Sequence, residues 1–276
     1  MDAMSILIVT PSLNQGQYIE STIRSVVSQL EAQDLYVVVD GDSTDDTEAI
    51  LRAYGDSISH VRVDSTLSQA GALAWAYNNF TADICCYINS DDLLLPGALA
   101  KVRRLFSSRE ELTGVYSHRL FIDAQSNATG VWALPAHSNY LMQRWDYIPQ
   151  ETCFWRSSAM HSVGGIDSEL EFALDYDFFV RLMATGRLER IDDYLGAFRV
   201  HADSKTSTLL ATQGRREIDL IHKRYAIRRY PWDRLVGGLL RRFVEWRSRR
   251  VFMAQRETLA AELTNARNGL RSGTNN

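Results

Sequence analysis

Residues 84–92 read ICCYINSDD, an apolar run that ends abruptly in four polar residues. A short apolar run bounded in this way is typical of a strand buried on both faces of a parallel sheet. Asp91 and Asp92 are adjacent carboxylates at the strand end, and they repel each other unless they are hydrated, paired or metal-bound. The stretch therefore indicates both a type of sheet and a place where chemistry can occur.

Strand-like and helix-like patterns alternate through the first hundred residues. Strands are predicted over 5–10, 35–39, 59–63 and 84–88, with helices over 18–29, from 43 or 44 to 54, and over 69–80. Repeated βα units of this length predict an α/β fold, with a Rossmann-like, mainly parallel sheet and helices on both faces. Ligands of such sheets bind beyond the carboxyl ends of the strands.

Polar clusters fall at three of these strand ends. PSLNQG (11–16) follows the first strand, DGDSTDD (40–46) the second and NSDD (89–92) the fourth. Because carboxyl ends of parallel strands share one edge of the sheet, the three loops predict a single binding site there.

The pattern is less regular beyond Pro96. Strands of a mixed extension of the sheet are predicted over 114–123 and 129–134, a surface loop over 135–148, and helices over 157–163 and 175–185. An Arg-rich helical character begins after Lys205. We therefore predict a main domain over 1–206 and a basic helical C-terminal extension over 207–276.

The extension carries much of the positive charge of the chain. Residues 215–256 contain 13 Lys and Arg against 4 acidic residues, in a chain whose net charge is -4. An apolar stripe at helical spacing runs through it, formed by Leu235, Val236, Leu239, Leu240, Phe243, Val244 and Trp246. This pattern suits an anionic membrane surface, a homodimer contact through 215–256, or packing on the main domain, and the sequence leaves the three open.

Cysteine usage and hydropathy indicate a compartment. Cys85, Cys86 and Cys153 have no metal-binding spacing, so we expect reduced core residues. A strand predicted from residue 5 leaves no room for a signal peptide, and no apolar run reaches the roughly 18 to 20 residues of a membrane-spanning helix. We expect a cytoplasmic protein, with any membrane contact peripheral at the inner face of the membrane.

Several nucleotide-binding and hydrolase motifs are absent. The sequence contains no G-x-x-x-x-G-K-[ST], no G-x-G-x-x-G after the first strand and no G-x-S-x-G. Two interpretations of the NSDD loop remain open from the residues alone. Its carboxylates can hold a hard divalent ion that also meets substrate phosphates, or Asp91 or Asp92 can cap the next helix.

Six segments occur in an order that resembles the family 2 glycosyltransferases of the GT-A fold. They are TPSLNQGQYIESTIRSVVSQ (10–29), VVVDGDSTDDT (37–47), INSDD (88–92), IPQETCFWRSSAMHSVGGID (148–167), LDYDFFVRL (174–182) and FRVHADSKT (198–206). The resemblance implies inverting transfer of a sugar from a nucleotide-diphosphate donor, most often a UDP-sugar, to an acceptor hydroxyl. It also implies Mn²⁺ or Mg²⁺ as cofactor and a role in glycan or polysaccharide biosynthesis.

The resemblance assigns roles at the donor end. It implies that the nucleotide sugar is held by Pro11, Ser12, Asn14, Asp40, Gln69, Asn89, Ser90 and Asp91. Asp40 matches a residue that accepts a hydrogen bond from uracil, and its alternative role is to cap the next helix. Asp91 and His201 match the metal-binding positions, whereas Asn89 offers only a neutral oxygen.

The resemblance also assigns the acceptor end. Asp175 matches the catalytic base, and Asp177, two residues on, points about 200° away from it on a helix. Asp177 then supports the helix start or the acceptor loop. Further acceptor-facing or supporting positions are Asp92, Gln150, Trp155 and Arg199. Trp155 can instead be a core residue and Arg199 a structural ion-pair partner. The expected partners are a nucleotide sugar and a glycan or lipid-linked glycan, with no nucleic acid.

Two other functions compete with this interpretation. A catalytically silent family member, which binds a nucleotide sugar or scaffolds a partner, is motivated by Asn89 and by a third helix that departs from the family pattern. A nucleotidyltransferase would need a basic, Gly-rich phosphate loop near the N-terminus. PSLNQGQY (11–18) contains no Lys or Arg, which argues against it.

Overall fold

The computed structural model describes residues 4–201 and 213–268. Within these residues nine strands form one sheet. They are β1 (Ile6–Ser12), β2 (Leu35–Asp40), β3 (His60–Val63), β4 (Ile84–Tyr87), β5 (Leu93–Leu94), β6 (Leu112–Ile122), β7 (Ala128–Trp132), β8 (Phe154–Arg156) and β9 (Arg187–Arg199). Their order across the sheet is β3-β2-β1-β4-β8-β6-β9-β5, and β7 pairs with β6.

Nine α-helices lie in the same part of the chain. They are α1 (Ile19–Val27), α2 (Thr47–Ala53), α3 (Gln69–Asn79), α4 (Ala98–Ser108), α5 (Asn139–Met142), α6 (Ser157–Ser162), α7 (Leu174–Leu182), α8 (Arg215–Arg224) and α9 (Asp233–Asn268). Short 3-10 turns occupy Gly55–Ser57 and Gln150–Thr152. None of the described helices combines the length and apolar character that crossing a membrane requires.

The sheet has a parallel half and a mixed half. Strands β3, β2, β1 and β4 run parallel, whereas β8 is antiparallel to both β4 and β6. In the second half β9 runs parallel to β6, and β5 and β7 are antiparallel to their neighbours. The predicted α/β fold is confirmed, with the mixed extension that the second half of the sequence indicated and helices at the C-terminus.

The central strands are buried on both faces, which explains their nearly continuous apolar sequences. Alternate residues of β1 point to opposite faces, so Leu7 and Val9 pack with α3 and α7, whereas Ile6 and Ile8 pack with α1 and α4. Each face is thus covered by helices, and the carboxyl ends of β1, β2 and β4 stay open at one edge.

Residues 135–148 are not the surface loop that the sequence predicted. They contain α5, and Met142, Tyr147 and Ile148 are buried. Tyr147 Oη accepts a hydrogen bond from Ser138 N at 2.9 Å, which closes the segment on itself. The many polar and aromatic residues suggested exposure, but the segment packs against the main core cluster.

The C-terminal helices pack on the sheet and its connections. Helix α9 contacts β7 and α1, and its Leu259, Leu263 and Ala266 are buried against Ile122 and Val131 of the sheet. Ser248 Oγ accepts a hydrogen bond from Ala133 N at 2.9 Å, so the helix also bonds directly to the backbone that follows β7.

Strand β9 passes close under the Gln150–Thr152 turn at Gly196. A Cβ atom added there would overlap the carbonyl oxygen of Glu151. The clash is with backbone, so no side-chain rotation can relieve it. The glycine therefore fixes how closely the turn that carries Gln150 approaches the sheet.

We expect Gly196→Ala to lower the free energy of unfolding by about 1–3 kcal/mol, the usual cost of overpacking a core. Gly130→Ala in β7 is the matched control, since the nearest atom to its added Cβ is a Phe121 ring carbon at 3.8 Å, an ordinary contact. Urea denaturation of both variants measures the difference. Equal stability losses would contradict the close approach at Gly196.

Candidate active site

A cavity of about 1050 Å³ lies at the open edge of the sheet. The loops after β1, β2, β3 and β4 form one end of it, and residues 132–148, 171–176 and α9 form the other. Sites for one small ligand usually measure about 300–1,000 Å³. This cavity is therefore large enough to hold a donor and part of an acceptor together.

The site residues predicted from the sequence divide into two groups. Those that line the cavity are Pro11, Ser12, Gln69, Asn89, Ser90, Asp91, Gln150 and Asp175. Those that lie outside its lining are Asn14, Asp40, Asp92, Trp155, Asp177, Arg199 and His201. Most members of the second group lie behind the wall or in the core, whereas Asn14 is exposed. Most of them hold the first group in place.

The loops after β1 and β2 are fastened together by side chains. Asp40 accepts hydrogen bonds from Ser43 N at 2.8 Å and from Ser43 Oγ at 2.6 Å. Ser43 Oγ accepts a bond from Asn14 N at 2.8 Å, and Asn14 Oδ1 accepts one from Thr44 N at 2.9 Å. Asp40 and Asn14 thus shape this end of the cavity, and the uracil contact expected for Asp40 stays a prediction.

Both loops contain a residue in the left-handed backbone region. Asn14 has φ of 52° and Asp42 has φ of 68°. Asn and Asp tolerate this conformation better than other non-glycine residues because their short polar side chains bond locally. The turn therefore keeps a left-handed conformation without glycine.

Asn89 is held between two other predicted site residues. Its Oδ1 accepts a hydrogen bond from Gln69 Nε2 at 2.8 Å, and its Nδ2 donates to Gln150 Oε1 at 3.1 Å. Gln150 Nε2 in turn donates to the carbonyl oxygen of Tyr87 at 2.6 Å. The chain of amides joins α3, β4 and the Gln150–Thr152 turn, and it engages the Asn89 oxygen that would otherwise face an ion.

The two adjacent carboxylates of the NSDD loop have different environments. Asp91 lines the cavity, and its Oδ2 lies 2.9 Å from His201 Nε2. Asp92 is fully buried, and its Oδ1 accepts a hydrogen bond from Arg199 N at 2.9 Å. Burial, with the neighbouring Asp91 charge, raises the pKa of Asp92 well above its usual range. Burial thus disfavours the charged form of Asp92, which reduces the repulsion between the two carboxyl groups.

Arg199 supports this loop from behind. Its Nε donates to the carbonyl oxygen of Asp91 at 2.6 Å, and its Nη1 donates to the carbonyl oxygen of Asp123 at 2.9 Å. The guanidinium also lies over the Tyr18 ring, 4.8 Å from its centroid. It is almost fully buried and bonds mainly to backbone, so it positions the loop and does not line the cavity.

Asp91 and His201 offer a partial metal site. A carboxylate and an imidazole at this separation suit Mn²⁺ or Mg²⁺ as two ligands of a larger shell. Among residues 4–201 and 213–268, no group of three or more His, Cys, Asp or Glu side chains is placed to hold an ion. The donor set therefore fits an ion that completes its shell with diphosphate oxygens and water.

Asp175 lies at the start of α7 and lines the opposite end of the cavity. Burial raises the pKa of Asp175 to about 6, although a hydrogen bond from Tyr176 N at 2.8 Å and the charge of Arg119 oppose the shift. A carboxylate with such a pKa is largely ionised at neutral pH and still basic enough to accept a proton.

A second carboxylate at this end, Asp146, was missed by the sequence analysis. It lines the same cavity, and the surrounding protein, with the charge of Asp175, raises the pKa of Asp146 well above its usual range. Its side chain is exposed to the cavity. The spacing of residues in RWDYIPQ (144–150) gave no indication that Asp146 lines a cavity, because the sequence predicted an exposed loop there.

An ion pair lies in the cavity wall between the two ends. Arg119 donates to both carboxylate oxygens of Glu151, at 2.8 Å each. The guanidinium stacks over the Phe198 ring, 4.4 Å from its centroid, and lines the cavity. Because Glu151 is buried and paired, the guanidinium is held rigidly and its positive charge acts on both Asp92 and Asp175.

Asp177 points away from the cavity, in the direction that its helical spacing predicted. It is fully buried, and its Oδ2 accepts bonds from Arg181 Nε at 2.8 Å and Nη2 at 2.6 Å. Its Oδ1 accepts a bond from Tyr225 Oη at 2.8 Å. Asp177 therefore connects α7 to the end of α8.

Trp155 lies in the core. Its ring packs edge-on against Phe178, with centroids 4.9 Å apart, and against Tyr77 and Tyr87. It is fully buried, and its Nε1 donates to Met160 Sδ at 3.4 Å. Of the two roles left open by the sequence, the structure therefore places it in the core position.

Helix α8 fixes the backbone that leads into Asp175. The Glu217 carboxylate accepts hydrogen bonds from Glu171 N at 3.1 Å, Phe172 N at 2.9 Å and Ala173 N at 2.8 Å. Burial opposes the ionised form, but the backbone donors outweigh it and lower the pKa of Glu217. Sequence reasoning missed this residue because it set the basic extension apart from the site.

Helix α9 forms part of the cavity wall. Gly237, Leu240 and Val244 line the cavity, and a Cβ at Gly237 would overlap the Trp145 ring. Nearby, Asp233 accepts hydrogen bonds from Tyr140 Oη at 2.8 Å and from Arg144 Nε at 3.2 Å. These contacts join the start of α9 to the segment that carries Asp146.

Comparison with known proteins decides the family. The family model described as "Glycosyl transferase family 2" matches residues 7–160, more than half of the chain. The chain belongs to this family. This glycosyltransferase is 30% identical over 197 residues to the O-antigen biosynthesis protein RfbC of Myxococcus xanthus, covering 69% of the chain and 15% of RfbC. It is 26% identical over 239 residues to the chondroitin synthase of Pasteurella multocida, covering 83% of the chain and 24% of that protein.

Solved structures resemble the glycosyltransferase in fold. S. aureus TarS 1–349 in complex with UDP-GlcNAc superposes with a TM-score of 0.62 at 16% identity, covering 74% of this chain and 61% of that one. The mannosyltransferase PcManGT of Pyrobaculum calidifontis, in complex with GDP-Man and Mn²⁺, gives 0.60 at 15% identity, covering 95% and 73%. The GT-A fold predicted from the sequence is confirmed.

We expect Glu217→Gln to accelerate amide hydrogen exchange at Glu171, Phe172 and Ala173 by roughly tenfold or more, because bonds to a charged acceptor are the strong ones. Exchange measured by mass spectrometry on peptides covering 170–176 checks this. Glu169→Gln is the control, since it makes the same charge change at an exposed position nearby. Unchanged exchange in Glu217→Gln would show that another contact fixes the start of α7.

Proposed function

We propose that the chain is an inverting glycosyltransferase that moves a sugar from a UDP-sugar to a hydroxyl of a glycan or lipid-linked glycan in polysaccharide biosynthesis. The observation that carries the proposal is that Asp91 and Asp175, from distant parts of the sequence, line one cavity. The similarity to an O-antigen biosynthesis protein and to a chondroitin synthase supports the polysaccharide role. The UDP-GlcNAc bound by TarS supports the donor class.

The acceptor end supports a direct displacement. Asp175 takes the proton of the acceptor hydroxyl while that oxygen bonds to C1 of the donor sugar, and the bond from C1 to the diphosphate oxygen breaks. The attack comes from the face opposite the leaving diphosphate, so the anomeric centre inverts and no covalent enzyme intermediate forms. A pKa of about 6 leaves Asp175 ready to accept the proton at neutral pH.

The donor end supports binding of a nucleotide and its diphosphate. Pro11 and Ser12 line the cavity, and Asn14 and Asp40 hold the two loops around it. Asp91 and His201 would hold the divalent ion, Mn²⁺ or Mg²⁺. When bound, such an ion offsets the negative charge that develops on the leaving diphosphate.

One observation favours a second candidate, a family member that binds a nucleotide sugar without transferring it. Asn89 replaces a carboxylate at the first position of the family's metal-binding motif, and its oxygen is engaged by Gln69. The positions of Asp91, His201 and Asp175 favour catalysis. Tight binding of a nucleotide sugar with no hydrolysis or transfer, in the presence of Mn²⁺ or Mg²⁺, would favour the silent member.

We expect Asp175→Asn to lower transfer on the order of a hundredfold or more while donor affinity and thermal stability hold, because an amide cannot accept the proton. The wild-type kcat/KM should fall as the pH drops through about 6, where the base becomes protonated. Nucleotide release from a panel of nucleotide sugars, with acceptor, measures both. A wild-type rate that is flat between pH 5 and 7 would contradict the assignment of Asp175 as base.

Asp177→Asn is the matched control for this prediction. It makes the same chemical change two residues away, but it breaks a buried ion pair, so we expect a stability loss of about 3 kcal/mol. The folded fraction should retain its turnover. Lost turnover with intact stability would transfer the role of base to Asp177.

Metal dependence is tested on binding as well as on turnover. We expect EDTA to abolish transfer and Mn²⁺ or Mg²⁺ to restore it. We also expect Asp91→Asn to weaken Mn²⁺ binding in the presence of UDP, as measured by electron paramagnetic resonance. Asp56→Asn, at an exposed position, is the control. Full turnover in chelator would rule out the metal, whereas unchanged Mn²⁺ binding in Asp91→Asn would rule out this ligand.

A further inference from the structure

Helix α9 presents an apolar surface to solvent. Its members, which we call the outer face, are Leu235, Val236, Leu239, Phe243, Trp246 and Met253, each between 41% and 72% exposed. At 3.6 residues per turn they fall within an arc of about 100°. Single exposed apolar residues are ordinary, but a contiguous row of large ones on one helix marks an interaction surface.

The opposite side of the helix is already used. Gly237, Leu240 and Val244 line the cavity, and Ser248 bonds to the backbone that follows β7. The outer face therefore cannot be the surface that packs on the sheet. Two members of the stripe identified in the sequence, Leu240 and Val244, pack inward, whereas the remaining members point outward. Packing on the main domain therefore accounts for only part of the stripe.

Arginines accompany the outer face. Arg242 and Arg249 lie along one edge of it, and Arg250 lies within it, with its guanidinium over the Trp246 ring at 4.8 Å from the centroid. All three are exposed, and none forms an ion pair with the part of the chain that the structure describes. A cationic edge beside Trp, Phe and Leu is complementary to an anionic lipid surface.

We propose that the outer face of α9 lies in the interface of a membrane that contains anionic lipids, with the helix parallel to the membrane plane. A second copy of the chain is a poorer occupant, because symmetric pairing of outer faces would bring the arginines of both copies together. Trp and Phe are also the side chains best suited to the boundary between headgroups and acyl chains.

Membrane docking of α9 deepens the proposed function, because it narrows the class of acceptor molecule. Since the inner face of α9 walls the end of the cavity that holds Asp146 and Asp175, that end lies about one helix diameter, roughly 10 Å, from the lipid surface. An acceptor sugar carried on a lipid headgroup can reach across this distance. The docked enzyme would therefore use a lipid-linked glycan, and this step alone rests on the proposed function.

Vesicle co-sedimentation of the full chain tests the docking. We expect binding to phosphatidylcholine vesicles containing phosphatidylglycerol at low salt, weak binding to pure phosphatidylcholine, and loss of the electrostatic part at high salt. Leu239→Ser/Phe243→Ser should abolish binding without changing thermal stability, because both residues are exposed. Arg242→Gln/Arg249→Gln should weaken binding roughly thirtyfold.

Val63→Ser/Leu220→Ser is the matched control, since it removes two exposed apolar side chains outside α9 and should bind as the wild type does. No binding to anionic vesicles at low salt overturns the proposal. So does a dimer in sedimentation equilibrium that Leu239→Ser/Phe243→Ser dissociates. These measurements need no substrate, so failure of the proposed function would appear separately, as absent transfer by a protein that still binds vesicles.

Discussion

The turn after β4 depends on a single buried residue, Arg199. Asp91 and Asp92 cannot both remain charged and unpaired at a strand end. Arg199 binds the backbone carbonyl of Asp91 and donates its own N–H to the Asp92 carboxylate, so Asp92 is withdrawn into the core. Asp91 is left as the carboxylate that faces both the cavity and His201. Two identical neighbours thereby acquire different environments, and the one beside His201 is available for an ion.

The end of the cavity that holds Asp175, which is the acceptor end of the proposed function, depends on the C-terminal helices in the same way. Glu217 of α8 gathers the three N–H groups before α7, and Asp177 ties α7 to Tyr225 at the end of α8. Asp233 at the start of α9 fixes Arg144, two residues before Asp146. Each tie is a carboxylate that accepts several donors, a strong and directional arrangement. The basic extension thus helps to build the site, and part of its positive charge is neutralised by ion pairs within the protein.

The residues predictable from sequence are those whose neighbours are local. Strands β1, β2 and β4 were predicted because burial on both faces makes them continuously apolar. Strand β9 was not predicted, because charged residues such as Glu189 and Asp193 interrupt its apolar pattern. Their ion-pair partners, Arg109 and Lys101, lie far away in the sequence. Asp146 was missed for a related reason, since its role comes from proximity to Asp175. Motif order located the candidate site, whereas periodicity could not show which side chains line it.

The two ends of the cavity have opposite electrostatic requirements. In the proposed function the donor end accommodates a diphosphate. Two carboxylates line the cavity there, Asp91 of the NSDD loop and Asp64, which is paired with Arg62. In the proposed function the acceptor end needs a base, and at that end Asp175 and Asp146 both line the cavity in surroundings that raise the pKa of each carboxyl. Arg119 lies in the cavity wall between the two ends. It is held there by Glu151, and its charge stabilises the ionised form of Asp175. Backbone hydrogen bonds, together with the charge of Arg119, partly offset the effect of burial and hold the pKa of Asp175 at about 6, so its carboxylate is largely ionised at neutral pH and still basic.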